Sequence, residues 1–329
     1  MLIAESSCSC SRSSSQSSNT RVMPSILETL SDDLASSVDR TARFTVAIHA
    51  RRRIPSTGVI WRDGIVVAAD HTIQKDEAID VALADGRVVQ AQVAGRDPST
   101  DICLLRLDGD HAPAPIDVAP LRVGQLMLAI GRPGAQATAT LGLVSAVGPA
   151  WRTARGGRID QFVRLDMSVY DGFSGSPLVT ASGRVAGLCT SGLTRGGAIA
   201  IPSATVERVI ESLQSNGGVL RRGFLGISTH VVPLPDDIKA RLAPIGGRVP
   251  TVGLMIVSVQ PGTPADRAGI LIGDILVGLG GQAMEDPKDV FAVLGPDSVG
   301  RELAAALVRA GQPLSLSLVA DAHPGRNQS

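Results

Sequence analysis

The sequence predicts a mainly β protein, with two antiparallel barrels side by side and a smaller α+β module after them. Three observations carry this reading. Apolar runs of strand length begin at Phe44-Thr-Val-Ala-Ile48 and recur about every 8–12 residues to Ile201, separated by Gly/Asp turns. The chain holds 36 glycines and 20 prolines, which suits a turn-rich β protein. Its 329 residues are too many for one small domain and fit two or three. The apolar fraction of 44% is ample for packed cores, but aromatics are scarce, so Val, Leu, Ile and Ala must fill them.

In chain order, residues 1–22 are rich in serine and read as disordered, with Met1 and Met23 as alternative starts. Residues 24–40 place Ile26, Leu27, Leu30 and Leu34 at helical intervals behind Ser25, a candidate N-cap. The strand-rich unit, 41–214, divides into halves near Asp117–Gly124. A helix from Ser203 to Leu213, capped by Ser203 or Thr205, closes it. Residues 215–221 contain Ser215-Asn-Gly-Gly218 and form a linker. The second module, 222–321, opens with Arg222-Gly-Phe-Leu-Gly-Ile227. It runs through Val252–Val259, a turn at Pro261–Gly269, a short helix around Asp286–Leu294 and a last strand near Pro313–Val319. Residues 322–329 are a tail.

The chemistry is written in three segments. Ser174 lies in Ser168-Val-Tyr-Asp-Gly-Phe-Ser-Gly-Ser-Pro-Leu178, between glycines that allow a tight turn with backbone N–H groups aimed at one point. A hydroxyl needs a base and a group that orients the base. Of the five histidines, only His71 ends a buried strand, Gly64-Ile-Val-Val-Ala-Ala-Asp-His71. Asp101 enters the apolar strand Ile102-Cys-Leu-Leu-Arg-Leu107, where a carboxylate needs a partner. Asp97 and Asp171 are lesser candidates for that role, and Asp70 is expected to face solvent. The order His71, Asp101, Ser174 is that of chymotrypsin, not of subtilisin or the α/β-hydrolases. Ser176 also breaks the hydrolase elbow, where glycine is required.

These segments resemble the HtrA/Deg family of PDZ-bearing serine proteases over about residues 41–321. The resemblance extends to Leu128-Ala-Ile-Gly-Arg-Pro-Gly134, Leu141-Gly-Leu-Val-Ser-Ala-Val-Gly148, Gly183-Arg-Val-Ala-Gly-Leu-Cys-Thr190 and Ala198-Ile-Ala-Ile-Pro202. It implies a chymotrypsin-like double β-barrel followed by a PDZ domain. His71, Asp101 and Ser174 would be the catalytic triad, and the N–H groups of Gly172 and Ser174 the oxyanion hole. Ser168, Cys189, Thr190, Ser191 and Gly192 would line the primary substrate pocket, with Thr190 also able to hydrogen-bond Asp101. No acid stands at Ser168, so a basic substrate side chain would be buried unpaired and small or medium aliphatic ones are expected. Phe224, Leu225, Gly226 and Ile227 would form the loop that holds a peptide's terminal carboxylate beside a strand edge. Phe173 stands where relatives carry a small polar residue, which suggests a turn with two settings.

The implied function is a serine endopeptidase that acts on unfolded or misfolded proteins and on chains with hydrophobic C-termini, in protein quality control and as a homotrimer. The alternative is a catalytically silent peptide-binding or chaperone-like protein on the same fold. Cys8, Cys10, Cys103 and Cys189 make no zinc pattern, and no metal or cofactor is expected. Cys103 and Cys189 read as buried thiols. The zero net charge and absence of a basic stripe argue against nucleic acid. No secretory or transmembrane segment is legible, which favours the cytoplasm over the periplasm or an extracellular site.

Overall fold

The computed structural model describes residues 25–194, 197–218, 222–295 and 298–322. The serine-rich start with Cys8 and Cys10, part of the linker, and His323 lie outside the described residues. Helix α1 (Ile26–Ala42) starts at Ser25, whose hydroxyl accepts from the Glu28 N–H while Glu28 reciprocates in a capping box. Leu34 and Val38 pack against the protein, whereas Ile26, Leu27 and Leu30 remain exposed.

The first barrel comprises β1 (Thr45–His49), β2 (Ser56–Arg62), β3 (Ile65–Ala69), β4 (Ile79–Ala82), β5 (Val88–Asp97) and β6 (Ile102–Leu107). It closes in the order β1-β2-β3-β6-β5-β4. After a connection over 108–125 come β7 (Leu126–Gly131), β8 (Thr138–Gly148), the hairpin β9 (Trp151–Arg152) and β10 (Arg158–Ile159), then β11 (Phe162–Asp166), β12 (Pro177–Thr180), β13 (Val185–Thr190) and β14 (Ala198–Pro202). The second barrel closes as β11-β14-β13-β12-β7-β8.

Strand periodicity explains why β3 and β6 read as unbroken apolar runs. Val66, Ala68, Cys103 and Leu105 point into the first barrel. Their neighbours Val67, Ile102 and Leu104 point the other way, into a shared core with Ile130, Val179 and Leu188 of the second barrel. Helix α2 (Ser203–Ser215) covers that core with Val206, Val209, Ile210 and Leu213, one helical stripe. Each such buried side chain contributes about 1.5–3 kcal/mol. Neither Ser203 nor Thr205 caps this helix. Pro202 occupies the N-cap, the Ser203 hydroxyl donates to the Val185 carbonyl, and Thr205 donates to Asp160.

The second module contains β15 (Gly223–Phe224), β16 (Ile227–Pro233), α3 (Asp236–Lys239), β17 (Val252–Val259), α4 (Pro264–Arg267), β18 (Ile275–Leu279), β19 (Gln282–Ala283), α5 (Pro287–Val293), β20 (Glu302–Arg309), β21 (Gln312–Val319) and β22 (Asp321–Ala322). Its sheet runs β16-β17-β18-β20-β21, which among the described residues leaves one edge of β16 without a strand partner beside α5. Arg222 joins the module to the barrels through Ser99 Oγ at 3.0 Å and the Gly156 carbonyl at 2.9 Å.

Asp274, buried ahead of β18, is bound by Arg309 at 2.8 and 2.7 Å and by the Leu271 N–H at 2.8 Å. The Arg309 hydrogen bonds, with the Leu271 N–H, hold its carboxyl below the ordinary 3.8 despite burial. A depressed carboxylate stabilises the fold fully above pH 3.8 and loses that contribution as pH falls through the folded value. Asp274→Ala should therefore cost about 1–3 kcal/mol near neutral pH. Urea unfolding of wild type should weaken below about pH 4 more than that of Arg309→Met; equal pH dependence would contradict the assignment.

Candidate active site

The two barrels meet where their backbones touch. A Cβ at Gly175 would fall 2.2 Å from the Thr57 carbonyl oxygen and 3.0 Å from the Ala69 nitrogen. Only glycine, here at φ 89°, permits this approach. Ser174 is thereby held against the end of β3, from which a short 3₁₀ turn (Asp70–Thr72) carries His71.

Asp101 immediately precedes β6 and adopts φ 61°, a left-handed conformation uncommon for a residue with a side chain. The turn before it is built by Asp97, whose carboxylate accepts from the Ser99 N–H at 3.0 Å and the Thr100 hydroxyl at 2.7 Å. The Asp101 carboxylate is buried but well supplied with donors. It accepts from the His71 N–H at 2.9 Å and the Thr190 hydroxyl at 2.5 Å, and it sits 2.8 Å from His71 Nδ1. That contact sets the imidazole with its Nδ1–H on Asp101 and Nε2 free to accept a proton. Among the described residues, neither Asp97 nor Asp171 hydrogen-bonds or ion-pairs with His71. Asp70, expected to face solvent, is instead fully buried and ion-paired with Arg96 at 2.7 Å.

The turn Tyr170–Phe173 is closed by the Phe173 N–H on the Tyr170 carbonyl at 3.0 Å, with Gly172 at φ 93°. That geometry belongs to a turn with a left-handed third residue. The Gly172 carbonyl accepts from the Thr57 hydroxyl at 2.7 Å, and Thr57 Oγ1 accepts from the Arg132 N–H at 2.8 Å. The N–H groups of Gly172 and Ser174 have no protein acceptor among the described residues. Two unpaired N–H groups at a buried turn are what an oxyanion requires. Phe173 is not at the surface. Its ring is fully buried in the second barrel, edge-on to Tyr170 and so close to Gly131 that a Cβ there would lie 2.8 Å from it. A seated core ring gives no support to a turn with two settings.

The expected substrate pocket is only partly assembled. Ser168, Ser191 and Gly192 are exposed, but Cys189 and Thr190 are fully turned inward. Cys189 packs in the second-barrel core beside Ser176, where burial pushes its thiol up to about 12. Thr190 is committed to Asp101. Both are taken off the pocket wall: on opposite faces of β13, Cys189 points into the barrel core and Thr190 toward Asp101. Gly192 serves the pair instead: a Cβ there would lie 2.6 Å from His71 Nδ1 and 2.7 Å from Asp101 Oδ2. The Ser174 hydroxyl pairs with Ser191 Oγ at 3.1 Å, and no hydrogen bond joins it to His71 among the described residues. Thr57, Arg132 and this use of Ser191 were not foreseen; their signal is a fold-level contact, not a motif.

In the second module, Leu225 is buried, and Phe224 in β15 and Ile227 at the start of β16 are half-buried. Gly226, at φ 80°, turns the chain where a Cβ would strike the Thr263 side chain at 2.3 Å.

Comparison with known proteins agrees with this geometry. A trypsin-like peptidase domain model matches residues 56–188, and a PDZ domain model matches residues 255–300. A probable periplasmic serine endoprotease, DegP-like, of Brucella suis biovar 1 is 33% identical over 287 residues, covering 84% of this chain and 54% of the relative. The putative serine protease HhoB of Synechocystis is 30% identical over 273 residues, covering 79% of this chain and 64% of that protein. The chain thus spans about half the length of the Brucella relative. The HtrA-type protease AlgW solved with a decapeptide superposes with a TM-score of 0.66 at 26% identity, covering 88% of this chain and 98% of that one. The serine endoprotease from Yersinia pestis gives 0.67 at 27% identity, covering 88% and 98%. The expected cytoplasmic location is overturned, since relatives from Brucella and Marinomonas are named periplasmic. Among the described residues no helix is long and apolar enough to cross a membrane.

Two substitutions separate the supports of this site. Thr190→Val leaves a buried carboxylate oxygen one donor short. It should lower kcat/KM about 10- to 100-fold, matching the ~1.5–3 kcal/mol of a hydrogen bond to a charge. Ser191→Ala releases the Ser174 hydroxyl and should speed acylation by a small factor, about 2- to 10-fold for a neutral hydrogen bond. Fluorophosphonate labelling rates check both; a slower Ser191→Ala would mean that Ser191 assists attack.

Proposed function

Because the chain belongs to the HtrA/Deg family of serine proteases with a PDZ domain, we propose that it is a serine endopeptidase working through an acyl-enzyme. The observation that carries this reading is the buried Asp101 carboxylate bound by His71 and Thr190 within the cleft that presents Ser174. Ser174 rotates from Ser191 to His71 as the substrate carbonyl arrives. His71 Nε2 takes its proton, and Oγ attacks the carbonyl carbon. The oxyanion is received by the N–H groups of Gly172 and Ser174. Asp101 stabilises the imidazolium, which then protonates the leaving amine; water repeats the sequence and frees the acid. The uncharged surface at Ser168 and Ser191 suits uncharged side chains before the scissile bond. The silent alternative loses support because the matched relatives are named proteases.

The substrates of this reading are unfolded or misfolded proteins and chains with free hydrophobic C-termini, handled in the periplasm by a homotrimer. The exposed edge of β16 would take an extended peptide as an added strand, and the turn Phe224–Ile227 would hold its carboxylate. Calorimetry should find free-acid peptides bound more tightly than their amides; equal affinity would exclude carboxylate capture.

Ser174→Ala should abolish casein hydrolysis down to the residual about 10³–10⁴ over water left by the remaining machinery. Fluorophosphonate should add to wild type at Ser174 by mass spectrometry. A folded wild-type protein that neither labels nor cleaves would support the silent alternative.

A further inference from the structure

Away from the triad, a concave site of about 460 Å³ lies between the C-terminal end of α1, the segment around Pro115 and the turn joining β12 to β13. This volume is within the range of small-molecule sites. Arg40, Arg43 and Arg184 line it with Phe44, Pro115 and Ser182, and no acidic side chain is among its walls. None of the three arginines is ion-paired among the described residues. Two of them are preset. Arg40 donates to Ser37 Oγ at 2.9 Å, and its guanidinium lies on the bare face of Gly183, where a Cβ would come 3.2 Å from its Nε. Arg184 is fixed by the Ile116 carbonyl. The Arg43 backbone N–H caps α1 on the Thr41 carbonyl, but its guanidinium has no hydrogen bond among the described residues and is free to close on a ligand.

Three like charges around one cleft repel one another, and an anion between them relieves that repulsion. Each guanidinium still has unused N–H donors, and their planar fork matches phosphate oxygens. A dianion balances three cations better than a monocarboxylate does. Phe44 and Pro115 offer an apolar seat beside the charges. We propose that this cleft binds a phosphate monoester carrying an apolar group. Its walls belong to α1 and to the hairpin whose strands begin three residues after Ser174 and end at Thr190, so an occupant ties the helix to the catalytic barrel. The phosphate could be presented by a soluble ester or by a phosphatidic acid headgroup, which share this chemistry.

Titration of the full chain with phenyl phosphate by calorimetry tests the assignment. Binding should weaken at least about tenfold in Arg43→Ala, less in Arg43→Lys, and progressively with salt. Inorganic phosphate and benzoate should bind more weakly than phenyl phosphate. Arg43→Ala should retain the wild-type urea midpoint, because the Arg43 side chain has no hydrogen bond to lose among the described residues and the backbone cap on Thr41 is kept. Cosedimentation with phosphatidic acid vesicles, lost in Arg43→Ala, would support the proposal with the lipid as the source. Absence of binding to both probes, equal binding by wild type and Arg43→Ala, or benzoate binding as tightly as phenyl phosphate would overturn it.

Discussion

The Asp101 carboxylate is the contact on which the rest of the structure depends. Buried without donors, such a charge would cost several kcal/mol. Its donors come from both barrels: the His71 backbone and ring belong to the first, and the Thr190 hydroxyl belongs to the second. The carboxylate can therefore be stable only when the barrels are docked. Folding of the catalytic unit and assembly of its acid–base pair become one event. The strained φ of Asp101 is part of this arrangement, since a backbone in that region persists only where its surroundings over-determine it. Here the Asp97-centred turn and three donors do so.

The same logic applies at the nucleophile. The turn that offers Gly172 and Ser174 is braced across the domain boundary by Thr57, which is itself held by the Arg132 N–H. Arg132 spends its buried guanidinium on the carbonyls of Ala42, Thr45 and Ala135. The end of α1, the start of β1 and the oxyanion turn are thus coupled through one residue, Arg132, by its side chain and by its backbone N–H on Thr57. The cleft of arginines beside α1 lies on the same framework, and an occupant there would stiffen the helix end that Arg132 grips.

Much of this was legible in the chain, for physical reasons. Barrel strands with both faces buried give continuous apolar runs, so β3 and β6 announced His71 and Asp101 at their ends. Glycines required by close approach, such as Gly172 and Gly175, marked the turn around Ser174. Other features were hidden. Asp70 beside His71 looked like a solvent-facing charge because its partner, Arg96, stands on a different strand. Cys189 and Thr190 could not both face one pocket, because adjacent residues of a strand point to opposite faces, and here Cys189 enters the barrel core while Thr190 turns to Asp101. Thr57 lies in an ordinary strand and acquires its role only through a carbonyl 115 residues away. Phe173 looked like a loop oddity and is a core side chain.

Asp101 fixes the His71 tautomer, with the Nδ1 proton shared toward the carboxylate and Nε2 left free to accept a proton from Ser174. Proton NMR of the resting protein reports that hydrogen bond directly, as a far-downfield Nδ1–H resonance. The resonance should appear in wild type and in Ser174→Ala, and be lost or shifted markedly upfield in a folded Asp101→Asn. A wild-type spectrum lacking it, or one unchanged by Asp101→Asn, would mean that Asp101 does not fix the His71 tautomer.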